Sequence, residues 1–193
     1  MRAAALALIL LPTATPASET PTTYADVAAL VARAEAGDVS AGEAYDLLET
    51  APDVPLAGAG LGRLRLLRAR DAPFAMFYYV NLYLGFQALN DYIADHHDDP
   101  LPHLWRAASA VETRYVMWGL AEARADLELT CRLCGEDPYL PNHEPRARLL
   151  LGIMAKDEGD LEGALRLWSQ AYAGDPTGPV GREAAKLLDL FTG

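Results

Sequence analysis

Cys131 and Cys134 are the only cysteines of the chain, and their spacing is the one most typical of redox or metal chemistry. A C-x-x-C pair serves as a disulfide, as a thiol redox centre or as half of a zinc site. The pair falls at the C-terminal end of a predicted helix, just before Gly135, where the helix dipole disfavours a thiolate. The next histidine, His143, fits no zinc-binding spacing. We therefore expect a structural disulfide or two buried thiols, with neither redox activity nor a bound metal.

A second candidate for metal chemistry is the run His96-His97-Asp98-Asp99 together with His103. Imidazole and carboxylate groups suit several divalent metals. However, neighbouring histidines at an exposed helix end point apart, and a histidine there also caps the last carbonyl groups. We expect a polar helix cap. The sequence contains no nucleophile elbow, phosphate-binding loop or dinucleotide-binding glycine pattern, so it predicts neither an enzyme nor a cofactor.

Aromatic side chains are concentrated between Pro73 and Asp95. Seven of the sixteen aromatic residues fall there: Phe74, Phe77, Tyr78, Tyr79, Tyr83, Phe86 and Tyr92. A helix that is apolar on all sides is either buried by its neighbours or lies in a membrane. Acidic residues flank this one, at Asp71 and Asp91, without the positive charges typical of a membrane span. We expect the central helix of the domain, packed on most sides.

The same segment has an alternative interpretation as an aromatic pocket for a small ligand. Buried tyrosines need hydrogen-bond partners for their hydroxyl groups. Four of them are close enough in sequence to line one cleft: Tyr78, Tyr79, Tyr83 and Tyr92.

Four arginines precede the aromatic segment: Arg63, Arg65, Arg68 and Arg70. On a helical period they split into two pairs on opposite sides, Arg63 with Arg70 and Arg65 with Arg68. One interpretation is a cationic site for an anionic ligand or an acidic partner. We favour a solvated helix face that balances the acidic remainder of the chain, since runs of charge are usually exposed to solvent.

The N-terminus and the composition limit the location and the partners. Arg2 precedes an apolar run from Ala3 to Leu11, and Thr15-Pro16-Ala17 offers a small-residue cleavage site, a pattern typical of a secretory signal peptide. We expect cleavage near Ala17, export to the periplasm or the medium, and no membrane span in the mature chain. The net charge of −11 argues against nucleic-acid and anionic-lipid partners.

Beyond residue 17 the pattern is helical throughout. Alanine and leucine dominate, and apolar residues recur at helical spacing. Asp99-Pro100, Asp137-Pro138 and Asp175-Pro176 lie 38 residues apart, which indicates stacked helical repeats. We predict one domain over 18–193, with repeat-like units at 24–50, 57–100, 101–138 and 139–176 and a capping helix at 179–191.

The unit from Pro145 to Pro176 resembles a tetratricopeptide (TPR) repeat. The matching positions are Leu151-Gly152, Gly159, Ala164, Trp168, Ala171 and Asp175-Pro176. Gly152 and Ala164 are small residues that let the two helices of a repeat approach closely. The resemblance implies an all-α, TPR-like solenoid of helical hairpins with about nine helices.

The resemblance also implies a function. The first helices of TPR repeats line a concave groove, and the corresponding positions here are Arg146, Leu149, Ile153, Lys156 and Asp157. We expect an exported scaffold that binds a protein or peptide partner through this concave face, with Arg146 and Lys156 placed for an acidic group. The alternatives are a transporter-associated carrier with the aromatic pocket and, last, a metal or redox protein.

Overall fold

The computed structural model describes residues 20–114, 119–134 and 143–192. The predicted signal peptide and the Asp137-Pro138 boundary lie outside these residues. The described residues form nine α-helices and no β-strand, which confirms the predicted all-α class. The helices are α1 (Tyr24–Ala36), α2 (Ala41–Glu49), α3 (Ala57–Arg70), α4 (Ala75–Asp95), α5 (Pro100–Glu112), α6 (Leu120–Cys134), α7 (His143–Asp157), α8 (Leu161–Gly174) and α9 (Pro179–Thr192).

The helices pack as successive hairpins in two rows. α1 packs on α2, α3 on α4, α5 on α6 and α7 on α8, and the second helix of each pair also packs on the first helix of the next. The first helices contact one another along the chain, from α1 through α3, α5 and α7 to α9. We call these five the inner row and α2, α4, α6 and α8 the outer row. One main core runs between the rows, and a smaller one lies under α9.

Local signals in the sequence account for several helix ends. Thr23 with Asp26 and Ser40 with Glu43 form reciprocal capping boxes at the starts of α1 and α2. Gly37 ends α1 with a φ of 83°, and Gly159 separates α7 from α8 with a φ of 90°. These local residues therefore account for both ends of α1, the start of α2 and the break between α7 and α8.

The glycines of α3, which weaken it as an isolated helix, let it pack closely on both sides. A Cβ atom at Gly62 would stand 2.9 Å from the carbonyl oxygen of Gly85 in α4, and one at Gly60 would stand 2.8 Å from side chains of Val27 and Leu48. These helices can approach so closely only because no side chain lies between them. The backbone contact between α3 and α4 fixes which face of α4 is turned to solvent.

In the C-terminal hairpin, the indole of Trp168 packs between α7 and α8. Trp168 of α8 is fully buried, and a Cβ atom at Gly152 of α7 would stand 2.5 Å from its Cδ1 atom. Phe191 of α9 covers the same indole, with ring centroids 5.5 Å apart. Gly152 thus makes room for Trp168, while Ala164 is buried one turn earlier on α8. No helix in the described ranges is long and apolar enough to cross a membrane.

Candidate functional site

The residues predicted to line a concave groove do not form an open surface in the structure. Leu149 is buried in the smaller core, and Ile153 packs against it. Arg146 donates from Nη2 to Glu35 of α1 over 3.0 Å. Lys156 and Asp157 remain near the surface, where they pair with each other at 2.9 Å. Two of the five residues are thus used for packing and one for an ion pair with α1.

Arg63 lies at the centre of a buried network that ties the inner row together. Its Nε donates to Glu35 over 2.8 Å, its Nη2 to Glu112 over 2.9 Å and its Nη1 to Ser109 over 2.6 Å. The side chain is 1% exposed. Our expectation of a solvated arginine is therefore wrong for Arg63. Sequence spacing could not reveal its partners, because they lie 28 to 49 residues away on two other helices.

The network shifts the pKa values of Glu35 and Arg63. Burial alone would raise the pKa of Glu35, but the charges of Arg63 and Arg146 and their hydrogen bonds outweigh it and hold that pKa at about 2. Burial also opposes the charge of Arg63, but Glu112 and Glu35 raise its pKa above the ordinary value. Glu35 and Arg63 are therefore charged at neutral pH, and the ion pairs of the network link α1, α3, α5 and α7.

The histidine and carboxylate candidates do not assemble into a metal site. His103 is buried, with Nδ1 2.8 Å from Oδ1 of Asp126 and Nε2 3.2 Å from the carbonyl oxygen of His97. His96 instead stacks on Tyr92 with ring centroids 4.1 Å apart. Within the described ranges, no three histidine, cysteine or acidic side chains are grouped as metal ligands. Asp99 instead caps α5 by accepting from the backbone N–H of Leu101.

Cys131 and Cys134 lie in the last turns of α6, and no disulfide joins them. Cys134 is buried and Cys131 is half-buried. Burial raises the pKa of the Cys131 thiol, which opposes formation of a reactive thiolate. Of the two expectations for this pair, the structure has thiols and not the disulfide.

The four tyrosines proposed as a ligand pocket point to different places. Tyr79 and Tyr83 are 54% and 57% exposed. Tyr78 is half-buried beside Leu66 and Arg70 in a cavity of about 170 Å³. Tyr92 lies at the other end of α4, against His96. They do not share a cavity, and the enclosed aromatic pocket predicted from the sequence is not formed.

The first half of α4 instead carries a large exposed apolar surface. Its buried residues lie only between Leu82 and Ile93. Six large apolar side chains at or near its start are between 48% and 69% exposed: Phe74, Met76, Phe77, Tyr79, Val80 and Tyr83. We call these six the outer face of α4. The expectation that α4 is packed on most sides is therefore wrong, because only the side toward α3 and α5 is covered.

The other helices of the outer row show what such a position usually carries. α2 exposes Glu43, Asp46 and Glu49, and α6 exposes Glu122, Glu128 and Arg132. In contrast, no charged residue occurs between Ala72 and Asn90. α8 exposes Leu161 and Tyr172 together with Glu162 and Arg166. Among the described helices of the outer row, α4 thus exposes the most large apolar side chains.

Arginines of α3 border this face. Arg68 lines a groove of about 360 Å³ together with Asp71, Ala72, Pro73, Phe77, Asn81 and the start of α2 at Ser40–Gly42. Arg70 lies beside Tyr78 on the other side of α4. This surface is therefore apolar in the middle, and its edges carry the two exposed arginines, Arg68 with Asp71 beside it on one side and Arg70 with Glu112 beside it on the other.

Sequence reasoning found the aromatic segment but placed it inside the protein. Comparison with protein-family models, with curated proteins and with solved structures finds no match to this chain.

Proposed function

We propose that this chain is an exported helical-hairpin scaffold that binds a protein partner through the outer face of α4. The observation that carries the proposal is the exposure of six large apolar side chains on one stretch of a well-packed helix. Apolar patches of this kind mark interaction sites, and aromatic residues and methionine are enriched in the cores of protein interfaces.

The TPR resemblance and the packing order support a scaffold. Consecutive hairpins in two rows give a rigid support on which one helix can present side chains. The concave face remains the usual binding surface of TPR proteins, but here Arg146 is paired with Glu35 and Leu149 is buried. The outer face of α4 has no such internal partner among the described residues. We therefore place the partner there.

The two other occupants of such a face are less well supported. A small ligand needs a concave, mostly enclosed site, and the four tyrosines share none in the described residues. A lipid surface would meet a chain with a net charge of −11, which anionic headgroups repel. A protein partner requires only a complementary apolar surface.

A photo-cross-linking amino acid at Tyr79 or Tyr83 tests the proposal in the cell that produces the protein. We expect both positions to cross-link the same protein, and the same amino acid at Glu128 on α6 not to cross-link it. The captured protein is then purified, and its affinity for the chain is measured by calorimetry.

Val80→Glu is the decisive variant. Val80 is 48% exposed, so the change should leave stability within about 0.5 kcal/mol while placing a charge in the interface. We expect the affinity to fall at least about tenfold. Glu128→Ala is the matched control and should change it less than about twofold. An equal loss from Lys156→Glu, with none from Val80→Glu, would return the binding site to the concave face.

A further inference from the structure

The arginines at the end of α3 are poorly neutralised although the chain is acidic. Arg68 makes no ion pair with any described residue. The contact of Arg70 with Asp71 is 3.4 Å long and joins two side chains that are 60% and 68% exposed. Such exposed pairs contribute little. Both cations are therefore available to a partner in a chain with 27 acidic and 16 basic residues.

Arg68 is also held in position. Its guanidinium lies 5.1 Å from the centre of the Tyr45 ring, and that of Arg65 lies 5.0 Å from the same ring. Arg65 in addition donates to the Tyr45 hydroxyl over 2.5 Å. Two like charges three residues apart on a helix repel each other. Tyr45 keeps them together, and an anion beside Arg68 would relieve the repulsion.

The groove beside Arg68 connects this charge to the apolar surface. Phe77 lines the groove and belongs to the outer face of α4. Arg70 lies on the opposite side of the helix, beside Tyr78. A partner segment that covers Met76, Val80 and Tyr83 therefore has a cation at each edge. An acidic side chain of the partner can enter the Arg68 groove while its apolar neighbours stay on α4.

We infer that the partner is a protein segment with apolar side chains flanked by acidic ones, and that Arg68 and Arg70 receive those acidic groups. The inference rests on the proposed function, since it describes the partner of the same face. Charge complementarity also favours one orientation, because Arg68 and Arg70 attract acidic groups in a chain whose net charge is −11. A basic segment would be attracted to the other outer helices instead.

A displayed library of random 16-residue peptides tests this without the natural partner in hand. Peptides are selected on the wild-type chain and counter-selected on Val80→Asn, which removes the apolar contact without adding a charge that would itself repel acidic peptides. We expect the survivors to combine large apolar residues with aspartate or glutamate. On the double variant Arg68→Glu/Arg70→Glu, we expect the selected peptides to carry lysine or arginine instead. Thermal unfolding verifies that each variant is folded.

Affinities measured with the free peptides then give the size of the contribution of the two arginines. Arg68→Gln/Arg70→Gln should lower the affinity for an acidic peptide about tenfold at low salt, and this loss should shrink at high salt. The affinity for the same peptide with glutamine in place of its acidic residues should not change. Control substitutions at Arg132 and Arg166, which are exposed on α6 and α8, should have no effect.

Four outcomes overturn the inference. If the binding of the peptides depends on Val80 but they show no preference for acidic residues, the proposed contacts with Arg68 and Arg70 are wrong and the proposed function stands. If no peptide depends on Val80, the proposed function fails as well. Flotation of the chain with phosphatidylglycerol vesicles, or self-association that depends on Val80, would replace the protein partner by a lipid surface or by a second copy.

Discussion

At the scale of single residues, the sequence identified Trp168 and Gly152 but not their relationship. The TPR resemblance paired Gly152 with Ala164 as two small residues. In the structure Gly152 leaves space for the Trp168 indole, whose Nε1 has no hydrogen-bond partner within the described part of the chain. Spacing within a helix indicates which face is buried, but it does not reveal which opposing side chain fills the space.

Gly152→Ala should destabilise the protein by about 1–3 kcal/mol, because the new methyl group overlaps a buried ring that has no free space to move into. Trp168→Ala should cost about 3–5 kcal/mol. Trp168→Phe should cost less than Trp168→Ala, since phenylalanine fills part of the space and removes an unpaired N–H group. Urea unfolding gives each value.

The double variant Gly152→Ala/Trp168→Phe is the sharper measurement. The smaller ring makes room for the methyl group. The losses in free energy of unfolding of the two single variants should therefore sum to more than the loss in the double variant. Glu162→Ala, on the exposed side of α8, serves as the control and should stay within about 0.5 kcal/mol. Strict additivity would mean that the two residues are not in contact.

Glu35 gives a prediction about pH. Its folded pKa of about 2 lies below the ordinary 4.5, so the unfolded chain binds the proton more readily. The stabilisation is therefore complete above about pH 5 and is lost as the pH falls toward 2. We expect wild-type protein to lose about 2 kcal/mol more than Glu35→Gln between pH 7 and pH 3. Parallel stability curves for the two proteins would contradict this.

At the scale of helices, the sequence was informative about where elements begin and end, and less so about their exposure. Capping boxes and glycines act over a few residues, so they can be recognised without tertiary information. The exposure of α4 depends on which helices cover it, and an apolar residue looks the same in a core and in an interface. Its apolar run therefore predicted burial where the structure has an open face.

The contact of α3 with α4 offers a matched pair of glycine substitutions. Gly62→Ala should cost about 1–3 kcal/mol, because its Cβ would stand 2.9 Å from a backbone oxygen of Gly85 that cannot move alone. Gly58→Ala lies on the same helix, with its nearest neighbour, a Tyr92 ring carbon, 3.8 Å away. It should be neutral or stabilise by up to about 1 kcal/mol, since alanine favours the helix. If both substitutions stabilise the protein, α3 and α4 leave room for a methyl group at Gly62 and the argument from close packing is wrong.

At the scale of the whole molecule, the fold class could be predicted and the exposed apolar surface of α4 could not. Helical periodicity and the regular spacing of Asp-Pro pairs suffice for an all-α array of hairpins. The Arg63 network requires α1, α3 and α5 to meet, which no local pattern encodes. Because Arg63 is buried, the exposed arginines of α3 are those near its end, Arg68 and Arg70.

Export is a prediction about the complete chain. Expressed with its own N-terminus, the protein should be cleaved near Ala17, because a positive residue, an apolar run and small residues precede that position. Intact-mass measurement of the protein recovered outside the cytoplasm gives the cleavage site. An uncleaved chain in the cytosol would contradict the prediction.

The bridge between Glu35 and Arg146 has a consequence for how the array comes apart. Stacked repeats usually fray from their ends, because each unit contacts only its neighbours. Here an ion pair spans 111 residues and joins the end of α1 to the start of α7. Opening the first hairpin therefore leaves Arg146 unpaired, and the fourth hairpin loosens with it. Replacing Glu35 should therefore speed amide hydrogen exchange in α7. This is the behaviour of a closed ring of contacts and not of a chain with two independent ends.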